Sequence, residues 1–327
     1  MGRITASRAA LASTLLWPAL FPPPGGAQEV TLRFRPEPGT ALVIRQETRQ
    51  DGVVDLGPMG TQQFLSEMTL ESAMRVLDGT SAGGRRLEQS VERVAMTVRQ
   101  GAQEILSVDT AEAGPADAAS EPFVAMVGNA FVVEIDERGR PVAVEGADRL
   151  FSNLKAEGEE GRKAAALVRQ AFSDEALLQM MQSALPAFPE GPITPGSEWS
   201  QRQEIQNAML GTIVVDRDFT FQGVEEAAGE ECARLAVALA VDMDFNALLG
   251  RLSSQMGNGM KATADMAPIE TTGSMCIALA DGVTLSSELA PEVSLTMRFA
   301  AADQQPVKMK MALKQTVLQT ATRKTLD

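Results

Sequence analysis

Few residues in this 327-residue chain are equipped for chemistry. Cys232 and Cys276 are its only cysteines. Each sits in an alternating, strand-like segment, and in an oxidising compartment such a pair is expected to close a disulfide. The competing reading is two small buried thiols. Asp242 and Asp244 share one face of a strand-like stretch, as do Glu134 and Asp136. Paired carboxylates can serve glycosidase-like acid–base catalysis or calcium binding, but such pairs on a wet strand face are usually just solvated. The 17 methionines offer thioethers, which bind Cu(I) when densely clustered. No dense run exists. The chain has no histidine and no tyrosine. The commonest general base and the commonest zinc ligand are therefore missing, and Ser-His-Asp and Cys-His catalysis are impossible. An enzyme would have to work with carboxylates, Lys, Ser or Cys alone. With no such constellation in view, the chain reads as a non-enzyme without cofactor or metal.

The elements that must position these residues are mostly strands. From Ala233 to Phe245 the odd positions are Ala233, Leu235, Val237, Leu239, Val241, Met243 and Phe245, with polar or small residues between. Period two over this length is a long strand with one buried face. Segments at 213–224, 293–299 and 307–314 repeat it. Further strands are expected at 30–35, 41–50, 63–77, 86–99, 103–109 and 130–135. Asp281-Gly282 is a hairpin signal, and Gly139-Arg140-Pro141 and Ala228-Gly229-Glu230 also read as tight turns. Adjacent strands joined by short turns imply an antiparallel sheet. Residues 147–185 break the pattern with helical spacing. Ser173 is placed to cap the last helix there, and Pro186 ends it. A shorter helix is expected at 246–256. Residues 111–122 read as a loop. Residues 186–198, with four prolines and two glycines, read as an irregular turn leading to Trp199.

Charge and targeting bound the setting. Lys and Arg number 29 against 43 Asp and Glu, a net charge of −14, which disfavours nucleic acid and anionic lipid surfaces. Residues 1–27 combine Arg3 and Arg8, an apolar run from Ala9 to Phe21, and small residues at Gly26 and Ala27. That is the pattern of a secretory signal cleaved near Ala27, and the run is too short for a membrane span. No cysteine stands at the junction to take a lipid anchor. The expected organisation is a signal at 1–27, an N-terminal β half at 28–146, a helical insertion and proline-rich turn at 147–199, and a C-terminal β half at 200–327. The two halves are expected to pack as one unit, secreted or periplasmic, with no stable membrane insertion.

The segment Phe188-Pro189-Glu190-Gly191-Pro192-Ile193-Thr194-Pro195-Gly196-Ser197-Glu198-Trp199 fits F-P-x-x-P-[IV]-x-x-G-x-x-W. With Pro38-Gly39-Thr40 before an early strand and the hairpin Val133 to Val142, it resembles a group of secreted bacterial proteins of unknown function. Many members of that group are lipoproteins; this chain lacks the anchoring cysteine. Its late hairpin, Gly273 to Gly282, departs from the group's pattern. The resemblance implies no activity. By fold analogy it implies the curved half-barrels of envelope lipid-binding and lipoprotein-carrier domains.

The fold class expected is mainly β: curved antiparallel sheets or a half-barrel, with helices across an apolar face. Methionine is adaptable and suits promiscuous apolar surfaces. Trp199, Met243, Phe245, Met275, Met297, Met309 and Met311 are the candidates for lining a ligand cavity, against the plainer alternative of ordinary core. Arg85-Arg86 and the row Lys308, Lys310, Lys314 are the main basic features, and the lysines read as guards of a sheet edge. Three functions remain: binding a lipophilic ligand, interaction with another envelope protein, and a carboxylate hydrolase, in that order.

Overall fold

The computed structural model describes residues 28–57, 60–80, 83–112, 120–154, 172–207, 211–243, 261–266, 269–300 and 307–324, with isolated positions between. The signal-like segment, the 246–256 helix, most of the middle helix at 164–172, and Asp244 and Phe245 lie outside the described residues.

Fourteen strands form one open antiparallel sheet. The N-terminal six are β1 (Ala41–Asp55), β2 (Thr61–Gly79), β3 (Arg85–Gln100), β4 (Gln103–Asp109), β5 (Ala130–Ile135) and β6 (Pro141–Glu145). The rest are β7 (Glu198–Asn207), β8 (Gly211–Ala227), β9 (Glu230–Met243), β10 (Lys261–Met266), β11 (Ile269–Ala278), β12 (Thr284–Leu289), β13 (Glu292–Ala300) and β14 (Val307–Lys324). Spatial order runs β6-β5-β3-β2-β1-β14-β12-β11-β9-β8-β7. The two halves are thus a single sheet, joined where β1 pairs with β14 from Ala41↔Lys324 to Asp55↔Lys310.

Several strands are pieces of longer ones. β12 and β13 pair with β14 in the same register, from Ser286↔Thr320 to Phe299↔Val307, broken only around Ala290-Pro291. Proline has no N–H for a ladder, which is reason enough for the break. β4 and β5 likewise both line β3. The extended segment at 30–36 is not the strand its pattern predicts. It makes only an isolated bridge, Val30↔Ile193. Its Phe34 N–H donates to Glu137 O and its Arg35 N–H to Asp281 O, so it threads between the two hairpin turns.

Two α-helices are described, α1 (Glu121–Met126) and α2 (Asp174–Ala184), and a 3-10 helix spans Ala147–Phe151. α1 begins where the sequence reads as loop, with Pro122 in its first turn, where proline costs nothing. The Ser173 hydroxyl accepts from Ala176 N–H and caps α2 as its spacing predicts.

α2 also reveals the curvature. It touches β6 and β7, the opposite edges of the sheet. Eleven flat strands at about 4.8 Å spacing would hold those edges about 48 Å apart, whereas α2 is about 16 Å long. The sheet must therefore curl into an incomplete barrel, with α2 in the gap. Three glutamines fasten it there. Gln182 Nε2 donates to Pro141 O of β6 at 2.9 Å, Gln201 Nε2 of β7 donates to Gln182 O at 3.1 Å, and Gln203 Nε2 donates to Gln179 O at 3.3 Å.

Alternation sorts the two faces. The outer positions of β1 carry Arg45, Glu47, Arg49 and Asp51, and Arg45 and Arg49 pair across to Glu71 and Glu67 of β2. Lys308, Lys310 and Lys314 also lie on this outer face, on a strand paired on both sides. Lys310 and Lys314 therefore guard no edge, contrary to the sequence reading, while Lys308 lies beyond the end of β1 and pairs with Arg298 of β13. Inner residues build one core from both halves, including Leu42, Val76, Leu87, Val133, Phe219, Phe221 and Leu235.

Candidate functional site

A cavity of about 310 Å³ lies between α2 and the inner face of the N-terminal strands. That is the lower end of the usual size for ligand pockets, about 300–1,000 Å³. β1, β2 and β3 supply Ile44, Leu70, Met74, Leu87 and Val91, and β5 supplies Phe131, Val133 and Ile135. α2 closes the opposite side with Leu177, Met180, Met181 and Ala184. Amphipathic spacing turns Leu177 and Met181, four residues apart, to the same side.

The inner end is sealed by the proline-rich turn. Phe188 is buried there, its N–H donating to Arg138 O at 2.8 Å while Arg138 Nε donates back to Phe188 O at 2.9 Å. Gly282 packs beside it at φ +76°, in the turn predicted from Asp281-Gly282, and a Cβ there would collide with Arg33 O. Only glycine satisfies both demands. At the other end the lining residues are more open: Gln46, Leu70, Gln89 and Gln319 are half-buried, and Met180 and Ala184 are exposed.

Among the described residues the polar lining consists of Gln46, Ser72, Gln89, Thr284 and Gln319, with no charged side chain. Among the described residues the side chains of Ser72, Gln89 and Gln319 make no hydrogen bond, and Gln46 reaches only Thr48 Oγ1 at 3.5 Å. A charge on the inner face lies elsewhere, at Arg217 of β8, opposite Gln201 and Leu239. Burial lowers its pKa to about 10, and it does not line the cavity.

The residues singled out by sequence do not form this site. Trp199 stacks on Phe219 at 5.3 Å between ring centroids, and its Nε1 donates to Ala187 O at 3.0 Å. It anchors the proline-rich turn to β8. Met275 packs against the core. Met297 and Met309 are cross-strand partners, as are Leu295 and Met311. Met243 pairs with Ile213. All these methionines are half-buried on the inner face, as alternation requires. None of them lines the cavity. The cavity residues themselves escaped the sequence reading. The available signal was the lack of charge at even positions from Leu42 to Val54 of β1 and from Gln62 to Val76 of β2, against Arg and Glu at odd ones.

Cys232 and Cys276 form a disulfide, with Cα atoms 5.6 Å apart on the paired strands β9 and β11. They anchor a small second cluster with Ala278 and Leu285. Glu225 Oε1 lies 3.7 Å from Cys276 Sγ; with the sulfurs bonded to each other, neither offers a thiolate to a metal. Glu134 and Asp136 do not act as a pair: Asp136 instead accepts from Arg138 N–H, Arg140 N–H and the Arg140 side chain. No described helix is long and apolar enough to cross a membrane.

No curated protein matches the chain. Among solved structures, lipovitellin, in a study of lipid–protein interactions, aligns with a TM-score of 0.41 and 10% identity, over 89% of this chain and 26% of its own. This chain thus spans about a quarter of lipovitellin's length. OpdQ of Pseudomonas aeruginosa aligns with a TM-score of 0.21 and 6% identity, covering 86% and 99% of the two chains. DynF, from the dynemicin pathway of Micromonospora chersina, gives 0.18 and 11%, covering 89% and 85%. All three fall below the level that establishes a shared fold. A family model described as a family of unknown function (DUF6263) matches residues 83–230, from just before β3 to the start of β9.

Proposed function

We propose that this protein is a non-catalytic, extracytoplasmic binding protein for a lipophilic molecule, held between the inner face of the sheet and α2. One observation carries the reading: a cavity of about 310 Å³ with a predominantly apolar lining, a sealed inner end and an open outer one. Native cores are packed to crystal-like density with few voids larger than a water, so a space of this size needs an occupant or a reason. The disulfide supports the location, since such bridges persist in oxidising compartments.

Titration with the fluorescent lipophile N-phenyl-1-naphthylamine tests the reading. Saturable, stoichiometric binding is expected. Ala184→Trp, at an exposed rim position of α2, is expected to weaken it at least about tenfold while circular dichroism and melting temperature stay unchanged. Failure of the unmodified protein to bind saturably, or full binding by the folded variant, overturns the proposal.

A further inference from the structure

The polar side chains of the cavity are arranged, and the arrangement specifies the ligand's polar end. Gln319 of β14 stands directly opposite Gln46 of β1. Gln46 pairs with Leu70 of β2, so Ser72 is its diagonal neighbour. Ser72 pairs with Val91 of β3, and Gln89 pairs with Met74, which makes Gln89 diagonal to Ser72. The four therefore form an oblique line across four adjacent strands, on the face that lines the cavity. Diagonal neighbours on a sheet lie about 7–8 Å apart, within reach of long side chains or of one ligand group between them.

Apart from the 3.5 Å contact of Gln46 Nε2 with Thr48 Oγ1, this line makes no side-chain hydrogen bonds among the described residues. Ser72 is 3% exposed, and among the described residues its hydroxyl makes no hydrogen bond. Gln89 and Gln319 are half-buried at the open end, and among the described residues their side chains also make no hydrogen bond. A buried polar group without a partner is costly, and the Ser72 hydroxyl, which lines the cavity, is open to a group that enters it. The line also excludes a charge. The inner positions of β1 from Leu42 to Val54, and of β2 from Gln62 to Val76, carry no ionisable side chain. A carboxylate or phosphate set among them would give up part of its hydration without gaining a counter-ion from these strands. Amide and hydroxyl groups both donate and accept, which suits an ester, amide or alcohol.

We infer that the cavity selects neutral lipophiles whose ester, amide or hydroxyl group seats on the Gln319–Gln46–Ser72–Gln89 line, and discriminates against the ionised lipids of matching length. The inference rests on the binding function proposed above. The test is displacement of bound N-phenyl-1-naphthylamine at neutral pH by two probes of one chain length, methyl dodecanoate and sodium dodecanoate. The ester is expected to displace the dye at least about tenfold more effectively. Ser72→Ala and Gln46→Leu are each expected to weaken the ester about fivefold relative to the dye measured on the same variant, the scale of one net hydrogen bond. Equal competition by ester and carboxylate overturns this inference and leaves the binding function standing. So does an ester affinity indifferent to both variants. Absence of dye binding overturns the binding function itself.

Discussion

Asp109 and Arg217 show how one sheet treats a charge according to its face. Arg93 Nε and Nη2 both donate to the Asp109 carboxylate, at 2.9 and 2.6 Å, and Ala111 N–H donates a third bond. These bonds lower the Asp109 pKa from 3.8 to about 2. A depressed carboxylate pKa contributes stability that is complete above the unfolded value and is lost as pH falls through the folded one. Asp109→Asn should therefore destabilise at neutral pH by a small amount typical of a surface ion pair. The gap between variant and parent should close as pH drops from about 4 to below 2. Urea unfolding at three pH values measures this; a gap that persists at the lowest pH refutes the assignment. Arg217, on the inner face, shifts for the opposite reason, burial having taken its charge out of water. Neither environment is legible in the sequence. Arg93 and Asp109 are sixteen residues apart, and only the register of β3 with β4 brings them together. Cys232 and Cys276 were legible, because two cysteines leave a single possible bridge.

At the scale of elements, alternation did most of the work, because a strand with one dry face writes its period directly into the residues. β9, β8, β13 and β14 appear where the pattern puts them. β7 and β10 were not marked, as their segments lack a clean apolar alternation. β7 lies at an edge and is braced by side-chain bonds from Gln201 and Gln203 to α2. α2 was marked by its cap, its spacing and Pro186, and it is the element on which the cavity depends. Ser173 supplies its N-cap, and Asp174 Oδ1 accepts from Ala147 N–H at 2.7 Å, holding the 3-10 helix to its start. Ser173→Ala should cost about 1 kcal/mol, the usual worth of such a cap. Hydrogen exchange should place the added opening in 174–184 rather than in the strands. Uniform acceleration across the sheet would show that the cap acts on the whole fold instead.

For the whole molecule the decisive contact is the pairing of β1 with β14, which makes one sheet from the two ends of the described chain. The bridge between Cys232 and Cys276 spans 44 residues and ties β9 to β11 within the C-terminal half. Closing a loop of that length stabilises by about 4 kcal/mol in the chain-entropy picture. The double variant Cys232→Ala, Cys276→Ala should lose an amount of this order in denaturant unfolding while retaining dye binding, since neither cysteine lines the cavity. Loss of binding in a folded variant would show that the bridge shapes the cavity from a distance. The sequence by itself determined that this is a strand-dominated chain without histidine chemistry, because period, turn residues and composition are local properties. It also marked the inner methionines, since each strand announces its own dry face. Tertiary structure alone decided which stretch of that face becomes a cavity. The choice depends on how far the sheet curls and where α2 spans its open edges, and both are set by contacts between residues far apart in the chain.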